Sequence, residues 1–411
     1  MKTGTTGFFG ERLLEAREAR GLTGVALGDL VGVPRNTICQ YEKDIQTPRP
    51  EVMRRLTEVL HLPIDFFVRS PSPQRAGVFH YRSMAAATKG ARKRAQRRHM
   101  WLRDIVSWLS ERVEMPEINF PDFRPPADPT LIDCEQIERA AIQLRQHWSM
   151  GDGPIERVVW LLENRGAIVS LSDFGSEDLD AFSESGNGTF EPFVSVSSDK
   201  VIAARSNFTA SHELGHLILH RNVPDNVANR PVEHKLMEQQ ANTFADSFLL
   251  PATSFVPQVR YPTLEQFRTL KAKWRVSIGA MIMRSRNLHL INQEQYRHLW
   301  MAYSRRGWRN GEPLDEILVD ARPRVLKRSF ELIINEGVSS TDEIRAALPY
   351  APTDIESLCG LDAGTLSETP RVVRLSERIT PPPRQNAAQV IAFRRSQKQN
   401  EKPRSFDSKT V

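Results

Sequence analysis

Two histidines and a glutamate occur at a spacing that metal-dependent hydrolases use. His212, Glu213 and His216 form the pattern H-E-x-x-H, and on a helix this spacing places both imidazoles one turn apart on the same face. Two imidazoles in that arrangement can hold a zinc ion, and Glu213 then lies beside a zinc-activated water as its base. The neighbouring apolar residues recur at near-helical spacing, which predicts a buried helix.

A catalytic zinc site needs a third protein ligand and one open coordination position. A second helix is predicted over residues 236–250, because its apolar residues follow the helical period and Pro251 ends it. Glu238 in this helix is the favoured third ligand, since thermolysin-like sites combine two histidines with one glutamate. Asn242 lies one turn later and could orient a ligand by a hydrogen bond; an amide on the helix surface is the alternative interpretation.

His220 is the rival third ligand, because it follows His216 by four residues. Three histidines on one continuous helix, however, drift by about 80° around its axis from first to last. We therefore favour Glu238, and from the sequence alone both assignments stay open.

The two segments together resemble one known family. H-E-L-G-H-L-x-L-H followed by E-x-x-A-N-x-F-A-x-x-x-L-x-P is similar to the ImmA/IrrE metallopeptidases, and the resemblance covers roughly residues 136–255. It implies a zincin-like fold, Zn²⁺ as cofactor, His212, His216 and Glu238 as ligands, and Glu213 as the base. Several members of this family cleave a repressor protein, so the implied substrate is a repressor-like regulatory protein.

Residues 8–67 contain a second recognisable pattern. Helix-start and helix-stop residues alternate there, with Thr23 capping one predicted helix, Gly32 in a tight turn and Pro34 opening the next helix. The segment resembles the phage-repressor-like XRE helix-turn-helix, in which the second helix of the motif enters the major groove of double-stranded DNA. We expect four base-facing residues, namely Arg35, Asn36, Thr37 and Gln40. A helix-turn-helix that only dimerises or holds a protein is the alternative.

Basic residues accumulate immediately after this motif. No acidic residue occurs between Asp65 and Asp104, whereas ten arginines and lysines do. A solvated basic helix is the ordinary explanation of such a run. Its position beside a DNA-binding motif favours contacts with DNA phosphates.

Composition limits the class of protein. A chain of 411 residues with 40% hydrophobic residues is expected to form two or three globular domains. No apolar run reaches the length of a membrane span, so no membrane partner is expected. Three widely separated cysteines argue against a disulfide framework and favour the cytoplasm. The net charge of +6 favours an anionic partner.

We therefore expect a mainly α-helical protein with a small β-sheet, of the α+β class. The expected parts are a five-helix helix-turn-helix domain at 1–68, a basic helical connector with a proline-rich linker at 69–135, a zinc metallopeptidase domain at 136–260, a helical accessory region at 261–375 and a disordered tail at 376–411. Residues 192–198 are predicted to form the strand that pairs with a substrate backbone.

The leading hypothesis is a DNA-binding transcriptional regulator that carries a zinc-dependent endopeptidase domain, with a homodimer as a further expectation. One alternative is a zinc-containing transcription factor that senses a signal without catalysis. Glu213 argues against it, because a purely structural site does not need that base. A prophage or toxin-antitoxin interaction module is the third interpretation.

Overall fold

The computed structural model describes residues 4–71, 79–81, 88–174, 181–185, 190–197, 203–315 and 322–367. Within these ranges the protein is mainly helical and has one four-stranded sheet, so the predicted α+β class is confirmed. The tail predicted to be disordered, residues 376–411, lies outside the described residues. Within the described part, no helix is both long enough and apolar enough to span a membrane.

Five helices form the N-terminal part, as predicted: α1 (Gly10–Ala19), α2 (Gly24–Val31), α3 (Arg35–Glu42), α4 (Pro50–Leu60) and α5 (Ile64–Val68). The Thr23 hydroxyl accepts a hydrogen bond from the amide of Ala26 and so caps α2. Gly32 ends α2 with φ 69°, a backbone conformation that glycine adopts without strain. Asp44 also has a positive φ, of 55°, and its carboxylate accepts a hydrogen bond of 2.6 Å from the Gly10 amide at the start of α1.

The long helix α6 (Lys89–Ser110) joins the N-terminal helices to the rest of the protein. Its Trp101 is fully buried and donates a hydrogen bond of 2.6 Å from Nε1 to the Glu15 carboxylate of α1. The Trp101 ring also lies 5.8 Å from the ring of Phe66 in α5 and 5.2 Å from that of Tyr350 near the C-terminus. One hydrophobic cluster therefore includes residues from the helix-turn-helix, α6 and the C-terminal helices.

The basic residues of α6 form ion pairs within the protein. The pairs are Lys93 and Arg97 with Glu18 of α1, Arg98 with Asp354, and Arg94 with Asp173. Arg98 is buried, and the Asp354 carboxylate compensates the desolvation free energy of its charge. These charges hold α6 against its neighbours, and the contact of this basic run with DNA phosphates stays a prediction.

The sheet contains β1 (Phe79–Tyr81), β2 (Ile168–Ser172), β3 (Ala181–Glu184) and β4 (Phe193–Ser197), in the order β1-β3-β4-β2. Strand β4 pairs in parallel with β2 and antiparallel with β3. All five residues of β4 are buried, which explains their mostly apolar character. The prediction that 192–198 pairs with a substrate backbone is wrong, because both edges of β4 already carry strands.

A second group of helices lies between residues 134 and 305: α7 (Cys134–His147), α8 (Val158–Asn164), α9 (Ala203–Leu219), α10 (Asp225–Ala228), α11 (Pro231–Leu249), α12 (Ala252–Phe255), α13 (Leu264–Trp274), α14 (Ile278–Asn287) and α15 (Gln293–Arg305). Helix α9 packs against β3, β4 and α11, and α11 packs against α7 and α14. Except for α10, these helices share a second hydrophobic cluster with strands β2, β3 and β4. The pair α9–α11 lies in its interior and is therefore held firmly.

Three further helices complete the described chain: α16 (Val325–Asn335), α17 (Thr341–Ala347) and α18 (Pro352–Cys359). Helices α16 and α18 both pack against β2 and α6. Their apolar residues, such as Phe330 and Ile355, belong to the cluster that the helix-turn-helix shares. The C-terminal helices thus stabilise the N-terminal half of the protein, although they are far from it in sequence.

Candidate metal centre

Helix α9 carries the H-E-x-x-H pattern, and its packing against α11 is unusually close at Gly215. A side chain at this position would place its Cβ 3.2 Å from the Cα and the carbonyl oxygen of Ala241. Glycine removes that obstacle, so the two backbones can approach one another. As a result, Glu238 of α11 reaches the histidines of α9. His212 and His216 are fully buried there.

The structure brings together His212, His216 and Glu238. The two Nε2 atoms are 3.1 Å apart. Glu238 places Oε1 3.2 Å from Nε2 of His216 and Oε2 3.5 Å from Nε2 of His212. The three ligand atoms therefore converge on one point, and the group fits a metal ion.

This geometry can be tested against the needs of zinc. Zinc binds histidine nitrogen and carboxylate oxygen at about 2.0–2.2 Å, and tetrahedral ligands at such distances are about 3.3–3.5 Å from each other. The 3.1 Å between the two Nε2 atoms and the 3.2 Å from Nε2 of His216 to Oε1 of Glu238 are close to that value. The 3.5 Å from Nε2 of His212 is measured to the other carboxylate oxygen, Oε2. Two histidines with one glutamate is also a ligand set of catalytic zinc sites. The residues fit a zinc ion.

Asn242 fixes the orientation of His212. Its Oδ1 lies 2.9 Å from Nδ1 of His212, and an amide oxygen can only accept a hydrogen bond. Nδ1 of His212 therefore carries the proton. Nε2 of the neutral ring keeps its lone pair, which is the form that binds a metal.

His220 fixes the orientation of His216 in the same manner. The Gln240 side-chain nitrogen donates to the carbonyl oxygens of Pro129 and Ile132, so its oxygen, 2.9 Å from Nε2 of His220, is the acceptor there. In neutral His220 the proton is thus on Nε2, and Nδ1 accepts from Nδ1 of His216 at 3.0 Å. His216 consequently presents the Nε2 lone pair of its neutral ring to the cluster. His220 itself lies behind His216, on the side away from Glu238.

Burial and neighbouring charges shift the pKa of the Glu238 carboxyl group in opposite directions. Desolvation alone would raise the pKa of its carboxyl group, but the hydrogen bonds and charges of His212 and His216 in their protonated form lower this pKa well below its usual value. Glu238 is therefore a carboxylate, as a ligand must be.

Two further residues lie close to the cluster. Glu213 is fully buried on α9. His234 lies at the solvent side of the cluster, with Nε2 3.8 Å from Oε1 of Glu238.

The helix-turn-helix presents the N-terminal end of α3 to solvent. Arg35 and Asn36 are exposed, Thr37 and Gln40 are half-buried, and Ile38 is buried against the other helices. The four residues predicted to face bases therefore all have side chains that solvent reaches, fully at Arg35 and Asn36 and partly at Thr37 and Gln40. Arg17 of α1 pairs with Glu42 at the other end of α3 at 2.5 Å, which anchors the helix on α1.

Comparisons with known proteins agree with these two parts. Residues 162–286 match the family model of the IrrE N-terminal-like domain, which belongs to the M78 peptidases. Residues 13–67 match the helix-turn-helix family model, and a search of curated proteins found no match. The chain therefore joins an XRE-type helix-turn-helix domain to an IrrE-like, metallopeptidase-like domain. This finding confirms the fusion that the sequence motifs indicate.

Two residues near the cluster were not found from the sequence. Gln240 acts through His220, and no local pattern distinguishes it from an ordinary glutamine on a helix. Asp246 is a buried carboxyl group two turns after Glu238. The sequence does indicate Asp246, because it is an acidic residue between Phe244 and Phe248 on the apolar side of the predicted helix. A carboxyl group is rarely buried in such a position without a partner or a function.

Proposed function

We propose that this protein is a DNA-binding transcriptional regulator whose IrrE-like domain is a zinc-dependent endopeptidase. His212, His216 and Glu238 bind Zn²⁺, and Glu213 is the catalytic base. The observation that supports this most is the set of ligand-atom separations, 3.1–3.5 Å, between two histidines and one glutamate. Oriented Nδ1–H groups on both histidines support it further.

The residues of the chain divide the work of peptide hydrolysis. A bound zinc ion supplies Lewis acidity and lowers the pKa of water to about 7. Glu213 accepts a proton from the attacking water and transfers it to the leaving amine as the carbon–nitrogen bond breaks. Asn242 and His220 keep the ligand rings in the required tautomer. The buried position of Glu213 strengthens these electrostatic effects.

Removal of the metal tests this proposal directly. Purified protein is expected to contain about one zinc per chain, and dialysis against a chelator should abolish cleavage of repressor-like proteins. Added zinc should restore cleavage, because the ligands are held by protein packing. The measurements are metal analysis and mass spectrometry of the cleavage products. Cleavage that continues at full rate in metal-free protein would contradict the proposal.

The substrate that we propose is a regulatory protein such as a repressor, and the second partner is double-stranded DNA. All three cysteines are free, which is usual in the cytoplasm, and we place the protein there.

A regulator that senses a signal through zinc without catalysis is the second candidate. The hydrophobic core that the helix-turn-helix shares with other parts of the chain favours it. The Glu213 variant described below distinguishes the two.

Changing Arg35 to alanine tests DNA recognition. Arg35 is exposed at the start of α3, where this class of motif contacts base edges, as we propose for Asn36, Thr37 and Gln40 too. We expect binding to a specific site to weaken by about 1–3 kcal/mol and base preference to relax at one position. If the protein binds as a homodimer, the site selected from a random DNA library should contain two half-sites about one helical turn apart. A selection that enriches no motif would exclude sequence-specific recognition.

A further inference from the structure

A pocket of about 440 Å³ lies beside the metal centre, between α9, α11, α14, α15 and the segment 308–315. Asn242, which contacts His212, forms part of its wall. Pockets of this size commonly bind small molecules or single side chains. The metal cluster does not use this space, since its three ligand atoms come from His212, His216 and Glu238.

Asp246 is the most informative residue of the pocket wall. Its side chain is 3% exposed, and its Oδ1 has no hydrogen-bond partner among the described residues. Burial raises the pKa of this carboxyl group to about 8; the charge of Arg284 lowers it and that of Glu138 raises it. Arg284 itself is occupied by Glu138, at 2.6 Å. A buried carboxyl oxygen without a partner is costly unless a ligand supplies one.

Aromatic rings form another part of the pocket wall. Trp300, Tyr303 and Trp308 line the pocket, and successive rings pack edge to face, with centroids 5.0 and 5.9 Å apart. Nε1 of Trp300 is buried and, within the described chain, has no acceptor. The pocket therefore offers an unused acceptor and an unused donor beside aromatic surface, which attracts cations.

The other two carboxylates of the pocket are already compensated. Glu312 and Asp315 pair with the buried Lys271 at 2.7 and 2.5 Å. Glu312 also accepts hydrogen bonds from Tyr303 and from the first amides of α14. Arg309 lies at the wall and donates to the Ser304 hydroxyl. Asp246 is thus the carboxyl group that is available to a ligand.

We propose that this pocket binds an ammonium or guanidinium group carried on an apolar body. The cation donates to Asp246 and lies against the aromatic residues, while an acceptor on the ligand takes the Trp300 N–H. The ligand is either a small amine or a lysine or arginine side chain of a protein. The small amine and the protein side chain present the same cationic group to the pocket. They differ in whether a peptide backbone adds to the affinity.

The position of the pocket connects ligand binding to the metal centre. Glu238, Asn242 and Asp246 follow one another at four-residue steps on α11, so each lies beside the next, with a drift of about 80° around the helix axis from first to last. The eight residues from Glu238 to Asp246 correspond to about 12 Å. A ligand on Asp246 and Asn242 therefore acts on the helix face that holds His212 in position. This coupling rests on the proposed metal centre, whereas binding to the pocket does not.

Calorimetric titration of the full-length protein with 2-phenylethylamine tests the proposal. We expect saturable binding of one molecule per chain, at least about tenfold weaker in Asp246→Asn and up to about tenfold weaker in Trp300→Phe. Glu294→Gln removes an exposed carboxylate of α15 outside the pocket and should leave binding unchanged. Affinity should also rise with pH up to about 8, because the cation binds ionised Asp246.

Three further titrations make the result decisive. Nα-acetyl-lysine amide that binds more tightly than 2-phenylethylamine would assign the site to a protein side chain, and the reverse order would assign it to a small amine. 2-Phenylethanol, which carries no charge, should bind at least about tenfold more weakly. Equal binding of the alcohol, or an unchanged affinity in both pocket variants, would overturn the proposal. Titration of metal-free protein should still show binding, which separates this result from any failure of the zinc proposal.

Discussion

Replacing Glu213 with glutamine is expected to lower kcat/KM for cleavage of a regulatory protein by about 10²–10⁴-fold, the usual contribution of a general base. Glutamine has nearly the same shape but cannot accept the proton of water at neutral pH. The zinc content should remain at about one per chain, because Glu213 is not among the three converging ligands. Cleavage is measured by mass spectrometry, zinc by metal analysis and DNA affinity by titration with an operator.

Glu135→Gln is the matched control for this variant. Glu135 is an exposed carboxylate on α7 of the same half of the protein, so its loss should leave cleavage within about twofold. If Glu213→Gln protein supports the same transcriptional response in cells, the regulator does not act by proteolysis. The sensing hypothesis would then replace it.

Glu238→Ala should produce the largest change in metal binding. Glu238 places Oε1 3.2 Å from Nε2 of His216 and Oε2 3.5 Å from Nε2 of His212, and its removal leaves only two of the three proposed ligands. A catalytic zinc site normally has three, so we expect the zinc content of the purified variant to fall from about one per chain to near zero. Metal analysis after gel filtration measures this directly.

His220→Ala distinguishes a ligand from a residue that orients a ligand. The structure places His220 behind His216, with Gln240 on its other nitrogen. Loss of such a supporting hydrogen bond typically weakens metal affinity by about 10–100-fold without removing the site. His220→Ala should therefore retain zinc at saturating concentration, and Glu238→Ala should not. The opposite result would make His220 the third ligand, and circular dichroism of both variants shows whether each remains folded.

Local patterns in the sequence determined much of this protein. The H-E-x-x-H spacing, the helix caps at Thr23 and Gly32, and the turn before α3 act within about one helical turn. Such features follow from helix geometry and backbone preferences, which neighbouring residues specify by themselves. For that reason the five N-terminal helices, the α+β class and His212 and His216 of the cluster could be predicted before any contact was known, with Glu238 favoured over His220 as the third residue.

The tertiary structure decided what depends on residues distant in sequence. The choice between Glu238 and His220 follows from the close packing of α9 on α11 at Gly215. The ion pairs of Lys93 and Arg97 depend on Glu18, 75 residues or more away. Likewise, β4 is an interior strand because β2 and β3 flank it. A sequence pattern shows which face of an element is apolar or charged, but only packing determines which partner that face meets.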